Sequence, residues 1–527
     1  MRVAVVGGGI SGLTAVWLLN EYSEHDVDLF EANEYVGGHT NTVAFKGSTP
    51  VDTGFIVFNK LTYPNFVKFL EILGVEYIAS SMSFSVKRAF GPAYEWSGNG
   101  LASLFAGISS WRDILQQLRL LWDLTRFNYL AIDALDGPEG DLPIQEYLAK
   151  QGYSDSFKRN YLLPIISSVW STPANKTAMH FPTRTLIRFM SNHHLLQIFN
   201  QPQWLTIKDG SKTYVDKILS KLAPERCFRS TGIEAISIDE SSEKVWLKAR
   251  GSERLHGPYD QVIFGSHADQ TVQILRNSAC APILQAQIAL LSRFSFNQNE
   301  AVLHTDVRLM PRNREIWTAW NYLVTEPPTS SSQKSHPHDQ QHLGKHDVSE
   351  NTSIDGSAVE KTVCLTYWMN LLQSIPEETC GPVLVTLNPP HEIDAKHVHG
   401  RWKYEHPLYT QDSVKAQEEI GALQTKQGIS FVGAWTNYGF HEDGHTSALR
   451  LVLEQHPGLF QVRSPFGGPD HGVAVPHQPV RPAARAVRCA LALGQVAVTL
   501  LCWLASLAVA LISLGSPRTL QPKLKKA

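Results

Sequence analysis

Apolar and polar positions fall into strand-like and helix-like runs from the first residue. Val3-Ala4-Val5-Val6 is an unbroken apolar run, the pattern of a strand covered on both faces. Ile10 to Leu19 continues with helical periodicity, and Val27-Asp28-Leu29-Phe30 is a second short strand run. Pro50 to Phe58 alternates into a strand with a break at Gly54. Trp111 to Leu135 carries Ile114, Leu115, Leu118, Leu121, Trp122 and Leu124 at helical spacing, which predicts a helix of a covering domain with core packing as its main use. Tyr161 to Pro173 mixes Pro, Ser and Trp in an apolar setting and reads as a pocket wall rather than a regular element.

Farther on, Trp204 to Ile218 begins a return toward the first strands. Ile233 to Ile238 with Val245 to Ala249 predicts a β-hairpin or meander, and Gln261 to Gly265 predicts another fully buried strand. Ala301 to Leu323, Val363 to Asn370 and Val383 to Leu387 are strand-like. Ile429 to Val432 leads through Gly433 and Gly444 into a helix that reaches Glu454. Residues 326–361 are a polar insert rich in Ser, His, Asp and Pro, unable to form a core. Its His336, His338, His342 and His346 have metal-ligand chemistry, but histidines in a solvated loop account for them without a metal.

At 527 residues the chain exceeds what one core serves, and interleaved domains are expected. A net charge of −2 gives no electrostatic footprint for nucleic acid. The six cysteines are scattered with no CxxC pair, which suits a reducing compartment and argues against a dithiol–disulfide reductase. No G-x-S-x-G elbow, HExxH helix or second dinucleotide fingerprint occurs.

The glycines carry the clearest chemistry. Gly7, Gly8, Gly9 and Gly12 follow the first strand at once, in the spacing G-x-G-x-x-G. That spacing makes a tight strand-to-helix turn whose backbone can approach a pyrophosphate, with N–H donors and the positive dipole end supplied by the helix. Glu31 ends the second strand, placed to accept hydrogen bonds from a ribose 2′-OH. Gly37 and Gly38 offer a second close approach of backbone to a ligand, and Gly433 repeats the strand–glycine–helix logic near the other end.

Cys489 to Leu514 contains no charged residue and as a helix would span about 39 Å, enough to cross a hydrocarbon core. Arg481, Arg485 and Arg488 precede it, and Arg518, Lys523, Lys525 and Lys526 follow. The run after a Pro- and Gly-rich stretch predicts a single-pass C-terminal anchor. The catalytic domain would face the cytosol at the endoplasmic reticulum or the mitochondrial outer membrane. The first strand begins at Arg2, leaving no room for a signal peptide. The last five residues resemble a dilysine retrieval signal, which conflicts with that topology.

Together these elements resemble the flavin-dependent amine oxidase superfamily, which includes monoamine oxidases, phytoene-type desaturases and protoporphyrinogen oxidase. GGHTNTV, VDTGFIVFN, LHTD, AWNY and GFHEDG resemble a narrower group of flavoproteins found alongside cyclopropane-fatty-acid synthases. The resemblance implies an α/β fold: a Rossmann-like FAD-binding domain of the GR2 type interleaved with an α+β substrate or cap domain, here followed by a transmembrane helix. The corresponding boundaries are 1–75, 205–280 and 425–460 for the FAD domain, 76–204 and 281–424 for the cap, 461–486 for a linker, 487–514 for the span and 515–527 for a basic tail.

The resemblance also implies FAD as cofactor. Gly7, Gly8, Gly9, Ser11 and Gly12 would hold its pyrophosphate, Glu31 its ribose, and Ile233 its adenine through the backbone. Gly37, Gly38, His39 and Thr40 would run beside the ribityl chain and flavin, and Asp52 to Gly54 would lie on the substrate side. Gly433, Glu442, Asp443 and Gly444 would bind the ribityl–pyrimidine end. Two departures from the superfamily weaken amine oxidation. Tyr35 and His39 stand where arginines usually flank the GG pair, and Asn299 to His304 supplies no lysine for flavin N5. His304, His441, Tyr438 and Trp435 are the candidates to shape or protonate the substrate, with packing an equal explanation of each. The expected activity is hydride transfer between flavin and a hydrophobic, fatty-acyl or lipid-like substrate at a membrane. Oxidation of a small amine and a non-catalytic tethered flavoprotein are the alternatives.

Overall fold

The computed structural model describes residues 1–88, 95–98, 111–172, 176–197, 201–239, 241–324, 363–466, 486–494, 496–497 and 500. In chain order, the elements that position the cavity described below are β1 (Arg2–Val6), α1 (Ile10–Glu21), β2 (Asp26–Phe30), α2 (Pro64–Leu73) and α3 (Trp111–Leu130). They are followed by β3 (Gln261–Phe264), β4 (Ser295–His304), β5 (Val398–Leu408), β6 (Ile429–Phe431) and α4 (His441–Leu449).

The apolar runs assemble into a five-stranded parallel sheet in the order Cys227–Phe228, β2, β1, β3, β6. Val5 stands opposite Leu29 on one side and Ile263 on the other. Every residue from Val3 to Val6 is buried, because α1 and α2 cover one face and the Ile233–Asp239 meander with helix Ala268–Arg276 covers the other. α1 is buried along most of its length, so it shows almost no amphipathic stripe. Thr14 Oγ1 lies 2.8 Å from His445 Nδ1 and ties α1 to α4.

A second sheet of seven strands runs in the order β5, β4, Leu384–Leu387, Cys364–Trp368, Trp320–Val324, Phe84–Arg88, Glu95–Ser97. β4 and β5 are antiparallel from Ser295 opposite Leu408 to His304 opposite Val398. Helices from α3 to Thr183–Asn192 form a third body around Phe127, Phe157 and Leu186.

Three expectations are corrected here. Tyr161 to Thr172 is a pocket wall, with Ser168, Val169 and Ser171 lining the cavity described below, but it is not irregular: Leu163–Trp170 is an α-helix entered through a π-turn at Lys158–Leu162. The stretch from Pro50 to Phe58 breaks into two short strands, Thr49–Asp52 and Phe58–Asn59. On α3, Leu120 and Phe127 are core, but Ile114, Leu115 and Leu118 are exposed. Among the described residues no helix is long and apolar enough to cross a membrane. Residues 486–494 are helical, but most of the proposed 487–514 span lies outside the described residues. The 326–361 insert with its histidines and the 515–527 tail lie outside them too.

Candidate functional site

One cavity of about 980 Å³ opens along the carboxyl ends of β1, β2 and β3, the edge where ligands bind in open α/β sheets. It runs on between the two sheets and the helical body. Gly7, Gly8, Gly9, Ser11, Glu31, Gly38, His39, Gly54, Ile233, Gly433 and His441 all line it.

The glycine turn is shaped for a ligand at one position and for the fold at its neighbours. Gly7 has φ +103°, and a Cβ there would lie 2.9 Å from Gly265 C and Ser266 N. A Cβ on Gly12 would overlap the Gly7 carbonyl oxygen, so this residue sets how closely α1 meets β1 rather than lining the cavity. Gly9 differs from both. A Cβ on it would meet nothing within 4 Å, and its φ of −74° is open to any residue. Its missing side chain therefore keeps cavity space clear at the start of α1. That helix begins without a side-chain cap and with no acid in its first turn, so its N–H donors and dipole face the cavity without a competing carboxylate.

Glu31 accepts hydrogen bonds from Gly8 N at 2.7 Å and Asn33 N at 2.8 Å, which pins the carboxylate at the cavity wall with lone pairs to spare. A cleared space, exposed helix N–H groups and a fixed acid one strand away fit a dinucleotide's diphosphate and ribose.

Several predicted residues lie elsewhere. Glu442 turns away from the cavity and caps α2, accepting from Asn65 N at 3.1 Å, Asn65 Nδ2 at 2.8 Å and Phe66 N at 2.9 Å; burial pushes its carboxyl up to about 7. Asp443 accepts from Phe440 N and Asn437 Nδ2 at the start of its own helix and is likewise pushed by burial to about 7. Gly444 is a close approach between helices: a Cβ there would lie 2.8 Å from Ile10 Cγ2 and Ser11 Oγ. Asp52 is buried against Ser211 N and Ser211 Oγ, with burial raising it to about 6. Thr40 bonds Tyr214 Oη and His441 Nε2 at 2.6 and 3.0 Å behind the wall, and Gly37 packs on Thr40.

Of the four candidates to shape or protonate the substrate, Trp435 and His441 reach the cavity. His441 stacks on Phe55 at 3.7 Å, its Nε2 is held by Thr40 and Tyr214, and burial drives its basicity well down. Tyr438 packs on Phe189 outside the lining, its hydroxyl pushed by burial to about 12. His304 sits inside the second sheet, 2.6 Å from Thr386 Oγ1, lowered by burial to about 4. Its place in the strand, not a ligand, explains it.

Sequence reasoning missed the densest polar group in the cavity. His267 Nδ1 lies 3.1 Å from Glu405 Oε2, and the His267 ring stacks on Phe296 at 4.6 Å. His39 stands 6.1 Å from His267 and 5.2 Å from His406, ring to ring. Burial first, then His267, lowers His39 to about 4. The His406 Nδ1 is paired with Asn299 Nδ2 at 2.9 Å, and burial lowers this histidine strongly. The signal was available for His267 alone, since it follows the carboxyl end of a predicted buried strand. Glu405 and His406 arrive through the register of β4 with β5, which no local pattern encodes. His267, Asp269 and Glu405 bring donor atoms within 4.8 Å of one another, the group among the described residues with metal-ligand geometry.

Comparison with known proteins agrees with this geometry. Residues 5–73 match the family model of an NAD(P)-binding Rossmann-like domain. Tryptophan 2-monooxygenase of Allorhizobium ampelinum is 48% identical over 50 residues, 10% of this chain and 7% of that protein. Amine oxidase [flavin-containing] A of Sus scrofa is 52% identical over 52 residues, 10% of each. The chain thus matches a tenth or less of the length of these curated relatives. A fatty acid isomerase from P. acnes superposes with a TM-score of 0.55 at 13% identity, covering 86% of this chain and 97% of that one. The chain has the fold of the flavin-dependent amine oxidase superfamily. Cyclohexylamine oxidase from Brevibacterium oxydans shares this amine-oxidase fold equally, with a TM-score of 0.55, 13% identity and coverage of 85% and 98%.

Proposed function

We propose that this chain is an FAD-dependent oxidoreductase acting on a hydrophobic, lipid-like substrate, and that its C-terminal apolar segment holds it at a membrane. The observation that carries the reading is the continuity of the cavity. It joins the space kept clear by Gly9 to a stretch walled by Ile56, Val57, Met82, Trp320, Tyr367 and Phe189. Bound there, FAD would supply two-electron oxidation or reduction of a carbon–carbon or carbon–nitrogen bond.

The chain's own residues do the rest. Gly7 to Gly9 and the start of α1 hold the diphosphate, Glu31 the ribose, and the Ile233 backbone the adenine. Apolar and aromatic walls exclude water and orient an extended chain. Glu405 accepts the Nδ1 proton of His267 and orients that ring in the cavity, so His267 is the lining group placed to exchange a proton with a substrate. The apolar and aromatic wall of Ile56, Val57, Met82, Phe189, Trp320 and Tyr367 favours a neutral apolar substrate over a charged amine.

The purified full chain in detergent is expected to carry visible flavin absorption, and Gly9→Val is expected to fold with unchanged melting but no flavin. Bleaching of the flavin by a lipid extract and not by simple amines supports the substrate class. Amine-dependent bleaching with peroxide release transfers the reading to amine oxidation. Colourless folded protein that refuses added FAD ends it.

A further inference from the structure

α3 buries polar side chains beside Leu120 and Phe127 on its inner side and carries apolar ones on its outer side. Gln117, Asp123 and Arg126 are buried on its inner side, with Asp123 accepting from Arg126 Nη1 at 3.3 Å and Ser154 N at 3.0 Å. On its outer side Ile114, Leu115 and Leu118 are 43%, 55% and 50% exposed, at the i, i+1, i+4 spacing of one helical face. Such a contiguous apolar face marks an interaction site rather than scattered surface residues.

The C-terminal helix lies beside this face. Arg488 pairs with Asp133, just beyond the end of α3, and a Cβ on Gly494 would come 2.9 Å from Trp122 Cη2. Those two contacts make the helix run antiparallel to α3, carrying Leu493, Val496 and Leu500 toward the end that bears Leu118, Leu115 and Ile114. Leu493, Val496 and Leu500 are 72%, 58% and 55% exposed. In the sequence an uncharged run extends from Cys489 to Leu514, with Arg481 and Arg485 before it and Arg518, Lys523, Lys525 and Lys526 after it.

We infer that the outer face of α3 is a second membrane contact, seated in the interface of an anionic bilayer beside the C-terminal segment. The inference rests on the membrane reading above and adds to it a surface of the folded body. Two features favour lipid as the occupant. The apolar face adjoins the described start of a segment whose sequence is uncharged to Leu514, long enough as a helix to enter hydrocarbon. Arg481 and Arg485 before it, with Arg518, Lys523, Lys525 and Lys526 after it, give the sequence the flanking charge that pairs with anionic headgroups. A body held at two places is fixed in orientation, whereas one held only by its tail swivels.

The test uses the full chain with vesicles of phosphatidylcholine and phosphatidylserine, read by flotation and by hydrogen exchange across residues 112–122. On binding, amide exchange in that segment is expected to slow about tenfold. In Ile114→Ser/Leu115→Ser/Leu118→Ser the protein still floats and melts at the wild-type temperature, but the slowing is lost. Flotation without slowing in the unsubstituted chain overturns the second contact and leaves the tether. Failure to float overturns the membrane reading and this inference with it. Slowing without vesicles, accompanied by a doubled mass in solution, assigns the face to a second copy of the chain and overturns the lipid assignment.

Discussion

The two ends of the cavity are built from different materials. At the nucleotide end the wall is backbone: Gly7, Gly9 and Gly265 with the first turn of α1, where a Cβ on Gly7 or Gly12 collides with main-chain atoms that cannot move aside. At the cap end the wall is side chains, Ile56, Met82, Phe189, Trp320 and Tyr367 among them. A wall of backbone can hold one kind of ligand and tolerates almost no substitution. A wall of side chains can be recut residue by residue. The difference separates a cofactor cradle fixed by main chain from a substrate wall that single side-chain substitutions can reshape.

The contrast is broken most directly within the glycine turn. Gly12→Ala is expected to cost about 3 kcal/mol or to prevent folding, read by thermal melting, because the added methyl meets the Gly7 carbonyl. Gly9→Ala, three residues away, leaves the melting temperature in place and lowers flavin content instead. If both variants behave alike, the distinction between fold glycine and ligand glycine is wrong.

Acid should come next in effect, because it acts on histidines at both ends and in the sheets. Burial holds His39, His193 and His304 at about 4 and His445 at about 3, with His406 and His441 also well below 6.5. A lowered folded value means that the stability is complete above pH 6.5 and is lost as pH falls toward 4. Asp52, raised to about 6, and Glu442 and Asp443, raised to about 7, act oppositely, since their contribution is largest below pH 4 and fades as pH rises through 6 to 7. The histidines outnumber them, so the melting temperature is expected to drop between pH 6.5 and 4. Glu442→Gln should steepen that drop by removing one opposing group.

A smaller effect tests where the cofactor wall stops. Glu442→Ala strands two buried N–H groups of α2 and the Asn65 amide, and is expected to cost about 2 kcal/mol while flavin content stays at the wild-type level. Loss of flavin without loss of stability would place Glu442 at the cavity after all. Smallest is Thr40→Val, which removes the bonds to Tyr214 and His441 and should lower stability by about 1 kcal/mol.

Backbone-built features were legible in the sequence because they need particular residues at fixed local spacing. The Gly7-x-Gly9-x-x-Gly12 turn, the Val3–Val6 and Val27–Phe30 runs and Glu31 at the end of the second strand are all of this kind, and each sits where its pattern placed it. Glu442 and Asp443 were misplaced for the converse reason. Their motif is local, but on α4 the side chains point back at α2 and at the helix's own start, a direction set by packing. His304 was misread because a strand's alternation does not say which face meets a cavity. The His267–Glu405 pair was invisible, since its partners meet only through pairing of β4 with β5 and docking of the two sheets.

The nucleotide sheet gathers strands from both ends of the chain, and β6 at Ile429–Phe431 forms its last edge beside β3. On the ribosome, the opening βαβ unit therefore waits with an unpaired border while the cap is made. The sheet is completed only once residue 431 has emerged. Native flavin uptake is accordingly a late event in synthesis, and a nascent chain arrested before that strand presents an open sheet margin to chaperones rather than a finished cofactor site.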